Sequence, residues 1–133
     1  MTNIECVYNY IEEVKSYALA TVDKDQPRVR IFGTILLDND RLFIQTGKNK
    51  DVAKQLYKNP KAEIIVCKGA EWLRICCNLV ENDSRDLRVK MLEKMPSLRA
   101  MYNEDDGNMV MFEIKNGVAT FSSFTAESKT VVL

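Results

Sequence analysis

The chain has 133 residues, 46% hydrophobic and 29% charged, which fits one globular domain burying roughly two-thirds of its unfolded surface. Its 19 Lys and Arg balance 19 Asp and Glu, so no general field attracts nucleic acid or an anionic membrane, and an anion site must be a local cluster. The absence of histidine excludes most zinc sites and Ser-His triads, and no apolar run approaches the ~20 residues of a membrane span.

In chain order, the start MTNIECVYNYIEEV is acidic and polar where a secretory leader is basic and then apolar, so a cytoplasmic location is expected. Ile4, Val7, Ile11 and Val14 recur at helical spacing, predicting an amphipathic helix over 3–15. Tyr17 to Val22 reads as a strand closed by a turn at 23–27, and Arg28 to Leu37 as the next strand. After the turn Asp38-Asn39-Asp40, Arg41 to Thr46 returns antiparallel. Asp51 favours the start of a short helix that Asn59-Pro60 ends at Lys58. A hairpin of 61–68 and 71–80 turns at Gly69-Ala70.

Asp83 then suits an N-cap, with Leu87, Met91, Leu92 and Met95 on one side of a helix to about Met95, where Pro96 interrupts. Ser97 to Tyr102 can add another turn or two. Met109 to Ile114 and Val118 to Phe124 are read as a closing hairpin, because Asn116-Gly117 favours a tight turn. Hairpin connections throughout predict a mainly β (α+β) domain: a six- to seven-stranded antiparallel barrel flanked by helices, not a parallel sheet. Cys6, Cys67, Cys76 and Cys77 form no Cys-x-x-Cys pair and are expected to be reduced and packed as small apolar residues, with Cys76 and Cys77 on opposite faces of a strand.

Chemistry concentrates in residues 18–60. Arg28 and Arg30, two apart on a strand, leave the same face and repel unless an anion or carboxylates stand between them. About fifteen residues on, Thr46 offers a hydroxyl, Gly47 a close backbone approach, and Lys48, Asn49 and Lys50 further charge and donors before the helix starting at Asp51. Two readings stay open from the residues alone: a grip on a phosphate monoester, or a solvated face and a lysine-rich turn.

The order ATVD, QPRVRIF, FIQTGKNKDV, NPKAEI resembles the pyridoxamine 5'-phosphate oxidase-like family of split β-barrels, including its small uncharacterised and nitroimidazole-resistance-type members, from about Ser16 to Phe124. The resemblance implies flavin mononucleotide (FMN) as cofactor, bound at the interface of a homodimer with two sites. It places Arg30, Ile31, Phe32 and Gly33 along the cofactor, with Arg28 beside them. Gln45 and Thr46 then end the neighbouring strand, and Lys48, Asn49 and Lys50 form the phosphate loop. In EWLRICC it puts Trp72, and Arg74 on the same face, at a position that reaches the flavin across the interface.

The implied function is an FMN-dependent oxidoreductase, pyridoxamine phosphate oxidase-like or flavin reductase-like, of unknown small-molecule substrate. The alternatives are a flavin-binding or sensing module without turnover, and an interaction domain without cofactor. The chain departs from the nitroimidazole-resistance type in having no histidine, and none of Tyr8, Tyr10, Tyr17, Tyr57 and Tyr102 stands out for proton transfer.

Overall fold

The computed structural model describes residues 1–133. The chain forms α1 (Asn3–Val14), β1 (Tyr17–Asp23), β2 (Gln26–Phe32), β3 (Leu36–Asp38), β4 (Arg41–Gly47), α2 (Asp51–Lys58), β5 (Lys61–Lys68), β6 (Glu71–Glu81), α3 (Arg85–Lys94), a 3-10 helix (Pro96–Ala100), β7 (Met109–Ser123) and β8 (Lys129–Val132). The strands make one antiparallel sheet of eight, in the order β2-β1-β5-β6-β7-β4-β3, with β8 on the far part of β7. The sheet curls without closing, and the expected mainly β split barrel is present. Every strand pair is antiparallel.

Two apolar clusters hold it. The larger has 20 buried residues, including Val7 and Ile11 of α1, Leu19, Ile44, Ile64, Leu73, Ile75 and Phe112, and fills the inside of the curled sheet. The smaller joins Phe43, Met109 and Met111 to Leu87, Met91 and Leu92 of α3. Alternation along β4 decides the split: Leu42 and Ile44 belong to the first cluster and Phe43 to the second. Thr2 caps α1 by accepting from the Glu5 amide at 3.1 Å.

Four expectations are corrected. The strand expected over Arg28–Leu37 is two strands, because β2 pairs with β1 and β3 with β4, so Gly33 to Ile35 must cross between opposite edges of the sheet. Thr34 pins that crossing: its hydroxyl accepts from the Gln45 amide at 3.0 Å, and its carbonyl accepts from the Tyr17 hydroxyl at 2.6 Å. The hairpin expected at Lys115-Asn116-Gly117 does not exist. β7 runs straight through, and the register against β6 slips by one residue between Cys76 and Asn78. Asn116, at φ 53°, makes a β-bulge there.

The N-cap of α3 is Ser84, which accepts from the Leu87 amide at 3.1 Å; Asp83 instead accepts from the Met111 amide and from Arg88. Of the cysteines, only Cys77 is buried. Cys67 and Cys76 are opposite in face to Cys77 on β5 and β6, on the outside of the sheet, where the Cys76 thiol donates to Glu63 Oε1 at 2.8 Å. No helix is long and apolar enough to cross a membrane.

Candidate functional site

Arg30 is the best-held cation in the molecule that has no carboxylate partner. The period of two sends Arg28, Arg30 and Phe32 to the inner face of β2, opposite Thr21, Leu19 and Tyr17 of β1. Arg30 Nη1 donates to Thr21 Oγ1 at 2.6 Å and to the Leu19 carbonyl at 3.3 Å, and Nη2 donates to Gln55 Oε1 of α2 at 2.8 Å. The Thr21 hydroxyl also donates to Gln55 Oε1, at 2.6 Å. All three partners are neutral, so they fix the guanidinium without offsetting its charge. Partial burial, with Arg28 next to it, lowers the Arg30 pKa from its usual value, and Asp51 acts the other way. Arginine stays charged through such a shift. A half-buried cation without a counter-ion favours an anion from solution.

The space for that anion is an open cleft of about 1090 Å³ between β2, the end of β4 and α2. Lys24, Arg28, Arg30, Lys50, Lys54 and Lys58 line it against only Asp23 and Asp51, six cations to two carboxylates in a chain of zero net charge. Asp23 is already paired with Arg28 at 3.2 Å. Thr46 supplies a hydroxyl from the end of β4, and Val22, Val29, Phe32 and Val52 supply the apolar lining. The N-cap position of α2, Lys50, makes no side-chain cap, which leaves the first amides of that helix free for an anion.

The structure thus brings together Arg28, Arg30, Phe32, Thr46 and Lys50 of the expected residues. Lys48 and Asn49 are exposed in the loop beyond, and their amides are taken by Asn108, through its carbonyl at 2.7 Å and its side-chain oxygen at 3.1 Å. Gly47 serves that packing. A Cβ there would stand 2.8 Å from Asn108 Nδ2, 2.9 Å from Asn49 Oδ1 and 3.1 Å from Tyr102 Cε1. Gln45 is 4% exposed on the face of β4 shared with Phe43, away from Thr46, and its Nε2 has no hydrogen-bond partner.

Ile31 lies on the outer face of β2 and is 72% exposed. Gly33 lines a separate, smaller cavity of about 250 Å³ between α1 and the end of α3. Trp72 and Arg74 lie on the outside of β6, two strands beyond β1; the indole packs edge-on against Phe124 at 5.1 Å, and Arg74 pairs with Glu63 at 2.6 Å. No tyrosine lines the cleft. Tyr17 is buried, and burial raises its pKa well above the ordinary tyrosine value.

Sequence reasoning missed Thr21, Gln55, Lys54 and Lys58. The lysines carried a readable signal, since Lys50, Lys54 and Lys58 recur every four residues across the short helix. Thr21 and Gln55 carried none, because their role depends on which strand and helix flank β2.

Known proteins share this fold. The chain is similar to a NimC/NimA family protein from Clostridium acetobutylicum, at 33% identity and TM-score 0.93 over 98% of this chain and 92% of that one. General Stress Protein 26 from Bacillus anthracis is 16% identical with TM-score 0.79, covering 100% of both chains. A pyridoxamine 5'-phosphate oxidase-related, FMN binding protein from Nostoc punctiforme is 14% identical with TM-score 0.66, over 100% of this chain and 97% of that one; both of these show the fold alone. No match was found among curated proteins. The pyridoxamine 5'-phosphate oxidase family model matches residues 7–122, which take in β1 to β6, nearly all of β7 and the whole cleft, and the chain belongs to that family.

Proposed function

We propose that this protein binds flavin mononucleotide in the Arg30 cleft and acts as an oxidoreductase on a small molecule. The observation that carries this reading is the Arg30 guanidinium, half-buried, tethered by Thr21 and Gln55, and without a carboxylate. The donor set fits a phosphate monoester: one fixed guanidinium, the Lys50 ammonium, the Thr46 hydroxyl and the open amides of α2. When bound, the flavin supplies the electron chemistry. The chain's part is to hold the phosphate, to present Phe32 and Val52 to the apolar ring, and to keep cations near a ligand that gains negative charge on reduction.

The cofactor is proposed to sit at a homodimer interface. The outer face of the sheet supports this: on β2 Val29 is 71% exposed and Ile31 72%, with Ala20 and Ala18 of β1 beside them and Ile65 of β5 beyond Ala18. Adjacent exposed apolar residues of this kind mark an association surface. Trp72 and Arg74 share this face, in register with Cys67 and Ile65, so a two-fold pairing through it would place them in the interface.

A second reading, flavin binding without turnover, is favoured by one observation. The cleft's titratable groups are lysines, arginines and the two aspartates, with no tyrosine or thiol among them to pass a proton. The deciding experiment is the visible spectrum of the purified protein after loading with excess FMN and desalting, followed by anaerobic addition of a reduced nicotinamide donor. A retained flavin band that bleaches supports the oxidoreductase, and one that persists supports the binding module. A colourless protein removes the flavin reading.

A further inference from the structure

Arg30 and its neighbours account for one phosphate and leave most of the cleft's positive charge unexplained. Lys50, Lys54 and Lys58 stand four residues apart along α2 and all line the cleft. Over eight residues at 1.5 Å rise, the row is about 12 Å long. Like charges at this spacing repel. Outside the cleft eight of the thirteen Lys and Arg side chains are paired with carboxylates: Lys90 with Asp86 four residues earlier at 3.1 Å, Lys68 with Glu13 at 2.9 Å and Lys94 with Glu12 among them. None of the three α2 lysines has an ion pair, nor has Lys24 across the cleft; among the six cations there, only Arg28 does.

A single phosphate is far shorter than this row, and the cleft volume of about 1090 Å³ lies at the upper end of small-ligand pockets. The charge is also local. The whole molecule is neutral, so four net positive charges around one cleft must be balanced by negative charge on the rest of the chain.

We propose that Lys54 and Lys58 of α2 form a second anion subsite, continuous through Lys50 with the Arg30 site, that takes the diphosphate-linked nucleotide half of a dinucleotide. Two ligands carry this chemistry: the outer half of flavin adenine dinucleotide, or a reduced nicotinamide dinucleotide lying beside the flavin. The proposal rests on the flavin reading for its inner phosphate, and its test separates the two.

Calorimetric titrations would use the apoprotein at fixed low salt, with FMN, flavin adenine dinucleotide, NADPH and inorganic tripolyphosphate as probes. They would compare the native chain with Lys54→Ala/Lys58→Ala, in which both replaced residues are exposed, and melting curves would confirm the fold. The expected result is at least tenfold weaker tripolyphosphate binding by the variant, with FMN affinity within twofold. Whichever dinucleotide falls tenfold is the occupant.

Equal affinities of both proteins for all the probes would overturn the subsite while leaving the FMN site intact. A loss confined to tripolyphosphate would overturn the dinucleotide assignment. If FMN does not bind at all, the flavin reading fails, and the tripolyphosphate titration alone decides the row: a tenfold loss supports it and no loss removes it.

Discussion

Arg30 shows how a neutral scaffold can prepare a charge for a ligand. Three hydrogen bonds fix its direction, so little side-chain entropy remains to be lost when an anion arrives. Arg30→Ala removes a charge-assisted contact whose typical value is about 1.5–3 kcal/mol, and equilibrium titration with FMN should show roughly 10–100-fold weaker binding. An unchanged affinity would place the phosphate elsewhere. The shared face of Arg28 and Arg30 was legible from the two-residue period of a strand. Their different fates were not: Arg28 pairs with Asp23 across the turn and Arg30 does not, and that depends on where α2 comes to rest.

At the scale of elements, the strands were legible because alternation and turn residues are local signals. The Asn116-Gly117 pair shows where such signals stop. A positive φ at Asn116 serves a hairpin turn and a bulge equally, and only the partner strand β6, some forty residues earlier in the chain, distinguishes them. The same conformation makes a prediction. Asn116→Val puts a β-branched residue in the left-handed region at about 1–2 kcal/mol, and thermal melting should fall by several degrees. Asn116→Gly should melt close to the native chain. The linker Gly33 to Ile35 was likewise read as strand, since apolar residues continue through it and the crossing between sheet edges leaves no mark in the local pattern.

For the whole molecule, two measurements test association and pH response. Ile31→Asp charges the outer face of β2 at a residue that does not line the cleft, and on the proposed homodimer light scattering should report a dimer for the native chain and a monomer for the variant. Native protein that is already monomeric would exclude the shared-site arrangement. On the alkaline side, burial pushes the Cys77 thiol up from 9.0 to about 12. Its stabilising contribution is complete below pH 9, where both folded and unfolded chains keep the proton. It is lost as pH rises from 9 toward 12, because only the unfolded chain ionises. Tyr17, also raised by burial, adds to the loss above its ordinary value of 10.0. Melting temperature should therefore decline from about pH 9 upward, and Cys77→Ala should delay the onset. A flat curve to pH 11 would contradict the burial of that thiol.

β7 has a consequence for how the protein is made. Its first half joins β4 to β6 and its second half joins β6 to β8, so it is the seam of the sheet. Phe43 meets Glu113 across 70 residues of chain. A ribosome must therefore deliver the chain through β7 before the seam can close. Until then β4 and β6 present bare edges, which makes incomplete chains sticky and the folding of finished ones slow for their size. Translation arrest anywhere before residue 109 should leave aggregates, not soluble fragments.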